Sequence, residues 1–181
     1  QFKQPIRDFM EYLKTQVRKQ RVKLRLGKKV TPALIKRLKP DVVVIATGAT
    51  HGVPDIPGAD GDNVATASDI LLGKKKVGKE AVIIGGGVVG SELAWFLAEQ
   101  GKKVTIVEML GALAMDMNMF SRLYLLDKLG ELGIHIVLET KARKITNKGV
   151  VAIDAEGNEQ VIKADTVILA TGFKRKNTLE K

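Results

Sequence analysis

The sequence lacks cysteine entirely, and aromatic residues make up only 4% of its 181 positions. Without cysteine there can be no disulfide, no thiol nucleophile or redox pair, and no cysteine-ligated iron–sulfur cluster within these residues. The only histidines, His51 and His135, are far apart in the chain, so we expect no metal site. The few aromatic residues form no stacking motif among the basic residues, so we expect no nucleic-acid partner.

Long apolar runs are also missing. No stretch approaches the roughly 20 apolar residues that span a bilayer, and the first residues contain no apolar signal-peptide block. We therefore expect a cytoplasmic protein without a membrane partner, and, because the chain starts at Gln1, a piece of a longer one. The formal net charge of +10 is spread over scattered lysines and arginines. This pattern is typical of a solvated surface that also attracts anionic ligands such as a pyrophosphate.

One segment carries a chemical signal, VIIGGGVVGSELAWFLAEQGKKVTIVE at residues 82–108. A predicted strand at 81–84 runs into a G-x-G-x-x-G turn, a predicted helix follows at 88–100, and a second strand at 103–107 ends on an acid. A glycine-rich turn alone is weak evidence, because such turns are common between strands and helices. Strand, helix and acid in register favour a dinucleotide-binding unit; the alternative is a tight turn with an incidental acid.

Each glycine of the motif has a predicted role. Gly85 permits the tight turn, Gly87 lets the backbone approach a pyrophosphate, and Gly90 lets the helix pack against the strand. The free N–H groups around Val88 and Val89 would face the anion at the helix N-terminus.

Glu108 ends the second strand, 18 residues after Gly90. At the carboxyl end of that strand, its carboxylate can accept hydrogen bonds from the ribose hydroxyls of a dinucleotide. A 2′-phosphate at the same place would be repelled by about 1–4 kcal/mol at about 4 Å. No arginine follows closely, so Glu108 favours NADH over NADPH.

The rest of the chain predicts an α/β fold with a parallel sheet and a domain boundary within residues 73–80. Four methionines after the second strand, Met109, Met115, Met117 and Met119, are interpreted as adaptable core packing, with a flexible lid or an interface to a missing part as the alternative. His51 is interpreted as a loop histidine without a special role, with a cofactor contact as the alternative. The other predicted elements are helices at 5–20, 32–38, 68–72 and 116–132, strands at 21–26, 41–47, 134–138 and 166–171, and a hairpin of 149–154 with 159–164.

Two strands end in the same way, VVVIATGA at 42–49 and TVILATGF at 166–173. With the G-x-G-x-x-G unit between them and the PDIPG segment at 54–58, this layout resembles the two-dinucleotide flavoproteins of the pyridine-nucleotide–disulfide-reductase-like superfamily. More narrowly, residues 6–49 are similar to the C-terminal half of NADH:flavin oxidoreductases of the old yellow enzyme type, such as 2,4-dienoyl-CoA reductase, enoate reductase and trimethylamine dehydrogenase.

The resemblance implies a division into three parts. Residues 1–77 would be the later portion of an FAD-type domain, 78–172 a Rossmann-like NAD(P)-binding domain, and 173–181 the start of a return to the first domain. Its implied function is to pass a hydride from NADH to flavin, with FAD or ADP as the second nucleotide. FMN and an iron–sulfur cluster would belong to a catalytic barrel domain of the same parent chain.

The resemblance also assigns cofactor-binding residues. Thr47 and Gly48 would lie near the FAD-type cofactor, and Thr171 and Gly172 near the junction of the two domains. Glu92 matches a glutamate near the nicotinamide end; alternatively it is an ordinary acid that the helix dipole favours in the first turns.

Two other functions stay open at this point. One is a different enzyme of the superfamily, such as an NADH oxidase or a ferredoxin-reductase-like protein. The other is a module that binds NAD or ADP without redox chemistry. We assign no catalytic residue, because in hydride transfer the cofactors carry the chemistry and the protein places them.

Overall fold

The computed structural model describes residues 4–176 and residue 179. The chain divides into two compact units, one of Thr47–Lys176 and one of Gln1–Ala46 with Asn177–Lys181. The elements in chain order are α1 (Gln4–Lys19), α2 (Pro32–Leu38), β1 (Ala49–His51), β2 (Val64–Thr66), α3 (Ala67–Leu71), β3 (Glu80–Ile84), α4 (Val88–Ala98), β4 (Lys103–Val107), α5 (Met119–Glu131), β5 (His135–Val137), β6 (Lys141–Thr146), β7 (Gly149–Ile153), β8 (Glu159–Lys163), β9 (Thr166–Leu169) and β10 (Phe173–Arg175).

The larger unit is built on a five-stranded parallel sheet. Its strand order is β2-β9-β3-β4-β5, and every neighbouring pair is parallel. The expected α/β fold is therefore confirmed. Because all five strands point the same way, their carboxyl ends share one edge of the sheet, and the segments that follow β3, β4 and β9 meet there.

Both faces of this sheet are covered, which explains its continuous apolar strands. Successive residues of a strand point to opposite faces. In β3, Ala81 and Ile83 face a core shared with α3, α4 and α5, whereas Val82 and Ile84 face the opposite core. All four side chains are at most 6% exposed.

A second, antiparallel sheet covers the face away from the helices. It has the order β6-β7-β8 and contributes Ile145, Val150 and Ala152 to the second core. The predicted hairpin is thus confirmed as β7 and β8. Strand β6 was not predicted, because a register shift between Ala142 and Lys144 breaks its alternation and most of its side chains are exposed.

The remaining strands form a short antiparallel ribbon of β1 with β10. Phe173 pairs with His51, and Ala49 with Arg175. This ribbon holds the two ends of the larger unit side by side. Its strands are three residues each, too short to be read from periodicity.

The smaller unit contains α1 and α2. Helix α2 has the predicted bounds, and Thr31 caps it: the Thr31 side chain accepts a hydrogen bond from the Leu34 N–H at 3.2 Å. Helix α1 carries an apolar stripe on one face, and this stripe is exposed: its side chains, Ile6, Phe9, Met10, Leu13 and Val17, are 37–59% exposed.

Two predicted strands are wrong. Residues 21–26 and 41–47 have no strand structure. Val42 and Val44 are 77% and 84% exposed. A strand needs a hydrogen-bonded neighbour, and within residues 4–176 the structure provides none for either segment.

Several predicted boundaries are shifted. The predicted division at 77/78 would separate β2 and α3 from the sheet, yet β2 pairs with β9 and residues 47–77 belong to the larger unit. Helix α3 begins at Ala67, one residue earlier than predicted, because Thr66 caps it. The Thr66 side chain accepts a hydrogen bond from the Asp69 N–H, and the Asp69 carboxylate accepts one from the Thr66 N–H. Helix α5 starts at Met119 rather than 116, because Asn118 caps it.

The methionine prediction holds only in part. Met117 packs against the core, but Met109, Met115 and Met119 are 59–64% exposed. Among residues 4–176, none of the helices combines the length and the apolar character needed to cross a bilayer.

Candidate functional site

The glycine turn after β3 is held by two contacts that exclude side chains. Gly85 has φ +105°, and a Cβ there would lie 2.6 Å from the Ala170 carbonyl oxygen. A Cβ on Gly90 would lie 1.9 Å from the Gly85 carbonyl oxygen. The turn and the close packing of α4 against it therefore require glycine, as the sequence pattern predicts.

Gly87 differs from these two glycines. It is the N-cap of α4 with an ordinary φ of −64°. A Cβ there would meet a single atom, Asp116 Oδ1, at 3.9 Å. Gly87 thus leaves open the space in front of the N-terminus of α4, where N–H groups lack acceptors within the helix. This is the room that a pyrophosphate needs.

Glu108 is buried beside the same turn, at 7% exposure. Its Oε2 accepts a hydrogen bond from the Gly86 N–H at 2.6 Å, and its Oε1 accepts one from the Leu110 N–H at 2.8 Å. The carboxylate therefore fixes the glycine turn to the end of β4. Each oxygen has a second lone pair, so a ribose contact is compatible with this geometry and stays a prediction.

Gly86 has a structural role that the sequence motif did not reveal. A Cβ there would lie 2.2 Å from Leu113 Cδ2 and 3.1 Å from Glu108 Cβ. Only glycine permits Leu113 and Glu108 to pack this closely. The signal in the sequence is that Gly86 is a glycine at a position of G-x-G-x-x-G that the motif leaves open.

A cavity of about 830 Å³ runs along the carboxyl edge of the parallel sheet. It falls in the size range of small-molecule and cofactor sites. The expected site residues that line it are Gly85, Gly87, Val88, Val89, Glu108, Thr171 and Gly172. Gly90 lies behind it, where α4 packs on the turn.

The comparisons with known proteins give the family of this chain. The family model described as pyridine nucleotide-disulphide oxidoreductase matches residues 1–181. The chain belongs to the pyridine nucleotide–disulphide oxidoreductase family. Members of this family are flavin-dependent oxidoreductases that use NAD(P)H.

Individual relatives are similar over most of this chain. An NADH oxidase of Thermoanaerobacter brockii is 40% identical over 94% of this chain and 27% of the relative. A bilirubin reductase of Mediterraneibacter gnavus is 33% identical over 90% of this chain and 25% of the relative. A solved 2-naphthoyl-CoA reductase matches 93% of this chain and 26% of its own, with 36% identity and a TM-score of 0.82. The chain thus spans about a quarter of the length of these relatives.

Thr47-Gly48 and Thr171-Gly172 each precede one strand of the ribbon, and because β1 and β10 are antiparallel they lie at its opposite ends. The Thr47 hydroxyl donates to the Lys176 carbonyl at 2.6 Å, and the Thr171 hydroxyl donates to the Gly52 carbonyl at 2.8 Å. Gly48 is exposed with φ +73°. Thr47 and Gly48 do not line the cavity, and their assignment to an FAD-type cofactor stays a prediction.

Glu92 also lies away from the cavity. It is half-buried on α4 and lines a smaller groove between α4 and α5, with Trp95 and Tyr124. Its assignment to the nicotinamide end stays a prediction.

The cavity also includes residues that were not among the predicted site residues. His51 and Phe173 line one end, with ring centroids 4.4 Å apart. His51 Nε2 also forms a hydrogen bond with the Ser68 hydroxyl, so this histidine has specific partners rather than being a free loop residue. Lys141 lines the cavity as well. These residues come together through strand pairing, which no local pattern reveals.

Proposed function

We propose that this chain is the NADH-binding part of a flavin-dependent oxidoreductase. The observation that carries the proposal is the open face of Gly87 at the N-terminus of α4, with the buried Glu108 on the neighbouring strand. Together they form a place for a pyrophosphate and an adjacent place for a ribose.

The order of the strands supports one direction for the dinucleotide. Glu108 follows β4, the glycine turn follows β3, and Thr171 follows β9. Neighbouring strands lie about 4.8 Å apart, so these three points cover roughly 10 Å of the sheet edge. The adenosine ribose is therefore assigned to Glu108, the pyrophosphate to Gly87 and Val88, and the nicotinamide nucleoside to the end of β9.

The protein residues position the dinucleotide and set its preference. The N-terminus of α4 directs its first N–H groups, which lack acceptors within the helix, toward the pyrophosphate. Glu108 accepts from ribose hydroxyls and repels a 2′-phosphate by about 1–4 kcal/mol at about 4 Å, which favours NADH. When bound, NADH supplies a hydride and a flavin accepts it.

The parent protein is proposed to be of the old yellow enzyme type. Support comes from relatives of about fourfold greater length, among them a reductase of a CoA thioester. In that arrangement FAD, or ADP in its place, lies beside Thr47 and Gly48. FMN and an iron–sulfur cluster lie in a catalytic barrel domain outside this chain, and the protein is cytoplasmic.

A second candidate, an NADH oxidase, is favoured by the 40% identity to the enzyme of that name. Two measurements on the full-length protein separate the possibilities: its flavin content, and its rate of NADH oxidation with oxygen and under anaerobic conditions. Dependence on oxygen supports the oxidase, and transfer to an organic acceptor supports the reductase. A full-length protein that binds NADH but holds no flavin would instead be a nucleotide-binding module.

The nucleotide site is tested by calorimetric titration with NADH and with NADPH. We expect the wild type to bind NADH more tightly, and Glu108→Gln to reduce that preference, because the amide no longer repels a 2′-phosphate. Glu156→Gln is the matched control, since Glu156 is exposed in the turn between β7 and β8. Wild-type protein that binds neither nucleotide, as this chain and at full length, would contradict the proposal.

A further inference from the structure

The segment between β4 and α5 is attached to the glycine turn. The Ala114 N–H donates to the Gly86 carbonyl at 2.8 Å, and Leu113 packs against Gly86. Arg122 Nε in turn donates to the Leu113 carbonyl at 2.7 Å. These contacts fix the segment at the edge of the cavity, so that Asp116, two residues beyond Ala114, reaches the start of α4.

Asp116 occupies the position expected for an anion. Its Oδ1 accepts a hydrogen bond from the Val88 N–H at 3.2 Å. It is also the atom nearest to the open side of Gly87, at 3.9 Å from the place of a Cβ. The carboxylate is exposed and lines the cavity. In the described part of the chain, no lysine or arginine forms an ion pair with it.

We propose that Asp116 is a built-in competitor for the pyrophosphate of the dinucleotide. This inference rests on the proposed function and adds a regulatory contact to the same site. The Val88 N–H donates either to the Asp116 carboxylate or to a phosphate of the dinucleotide. The negative charge of Asp116 also repels a second anion at the same helix end. A bound dinucleotide must displace Asp116, and its affinity is lower by the cost of doing so.

The contact is weak enough to be exchanged. The hydrogen bond is long for an N–H donor to a carboxylate, and an exposed carboxylate is readily rehydrated when it moves. Residues Met115 and Asp116 lie beyond the fixed point at Ala114 and are both exposed. Displacement therefore requires movement of the segment's exposed part, not of its attachment to the glycine turn.

The test separates charge from shape. Asp116→Asn keeps an oxygen that can accept from Val88 but removes the charge. We expect it to bind NADH and ADP about tenfold more tightly, the size of one unscreened charge pair at this range. Adenosine, which carries no phosphate, should bind equally to both proteins. Calorimetry serves for NADH and ADP, and NMR titration for adenosine.

Asp127→Asn is the matched control, because it changes the net charge equally from an exposed position on α5 away from the cavity. If Asp116→Asn binds NADH no more tightly than the wild type, or if Asp127→Asn tightens binding as much, the inference is overturned while the proposed function stands. Equal tightening for adenosine would also overturn it. If no variant binds NADH or ADP, the proposed function fails, and this inference fails with it.

Discussion

A Cβ on Gly90 would lie 1.9 Å from the carbonyl oxygen of Gly85, so helix α4 rests directly on the turn that precedes it. This contact sets the distance between the helix and β3, and it thereby fixes the position of the helix N-terminus at the cavity. The glycines of this motif thus serve different physical purposes. Substituting them one at a time distinguishes an effect on stability from an effect on binding.

Gly90→Ala should destabilise the fold. The added methyl group overlaps backbone atoms that cannot move independently, so α4 must shift, and overpacking of this kind costs about 1–3 kcal/mol. The free energy of unfolding, measured by chemical denaturation, should fall by this amount, and NADH binding should weaken with it.

Gly130→Ala is the control for that substitution. Gly130 is also in a helix, near the end of α5, but a Cβ there meets nothing within 4 Å. Alanine should therefore raise stability by up to about 1 kcal/mol, because glycine is a poor helix former. Equal destabilisation by both substitutions would show that the contact between Gly90 and Gly85 has no special cost.

Gly87→Ala should affect binding more than folding. A Cβ at this position meets only Asp116 Oδ1, at 3.9 Å, and its backbone is in an ordinary region. We expect the unfolding free energy to change by no more than about 1 kcal/mol, the cost of alanine at an N-cap. NADH affinity should fall about tenfold, because the methyl group occupies space that the pyrophosphate needs. Calorimetry and thermal denaturation on one preparation decide between the two effects, and a variant that binds NADH normally would contradict this role.

The glycine turn could be predicted because its signals are local. β3, the turn, α4 and β4 follow one another in the chain, and each is long enough to show its own periodicity. β2 and β10 are only three residues long, and their existence depends on partners far away in the sequence. At residues 41–47 the error is the opposite one, a predicted strand that does not exist. An apolar run forms a strand only where a neighbouring strand is available to pair with it.

The residues of the candidate site also divide into those that local spacing predicts and those that depend on long-range contacts. Gly85, Gly87 and Glu108 are recognisable from spacing, because all three lie in one βαβ unit that is contiguous in the sequence. Asp116 reaches Val88 across 28 positions of sequence, and His51 reaches Phe173 through the ribbon. These contacts depend on how the loops return to the sheet, which local patterns do not specify.

Asp165 makes folding stability depend on pH. Its Oδ2 accepts from the N–H groups of Lys79 at 2.8 Å and Glu80 at 3.2 Å, and its Oδ1 accepts from the Thr166 hydroxyl at 2.9 Å. Desolvation acts to raise the pKa of this carboxyl, but hydrogen bonds from Glu80, Thr166 and Lys79 outweigh it, and the pKa lies below its usual 3.8.

The sign of the pH effect follows from that direction. A carboxyl with a lowered pKa in the folded state stabilises the fold above its unfolded pKa, and this stabilisation is lost as the pH falls through the folded value. Asp165→Asn should therefore lower the unfolding free energy at pH 7, by less than about 1 kcal/mol because the group is exposed. The difference from the wild type should shrink below about pH 4. Urea denaturation at pH 7 and pH 3 measures it, with Asp127→Asn as the control, and a constant difference at both pH values would contradict the assignment.

Phe173 tests the direction in which the dinucleotide lies. Its ring is 54% exposed and stands beside His51 at the cavity end that follows β9. With the adenosine ribose at Glu108, this end receives the nicotinamide nucleoside. Phe173→Ala should weaken NADH binding about 3- to 10-fold, the worth of one aromatic contact, and should leave ADP binding unchanged, because ADP stops at the pyrophosphate.

Phe120→Ala provides the comparison, since Phe120 is 78% exposed on α5 and does not line the cavity. Calorimetry with both ligands on both variants distinguishes the possible orientations. Loss of NADH affinity alone, in Phe173→Ala alone, supports the proposed direction. Loss of ADP affinity in Phe173→Ala would place the adenosine at the β9 end, and the assignment of the ribose to Glu108 would then have to be reversed.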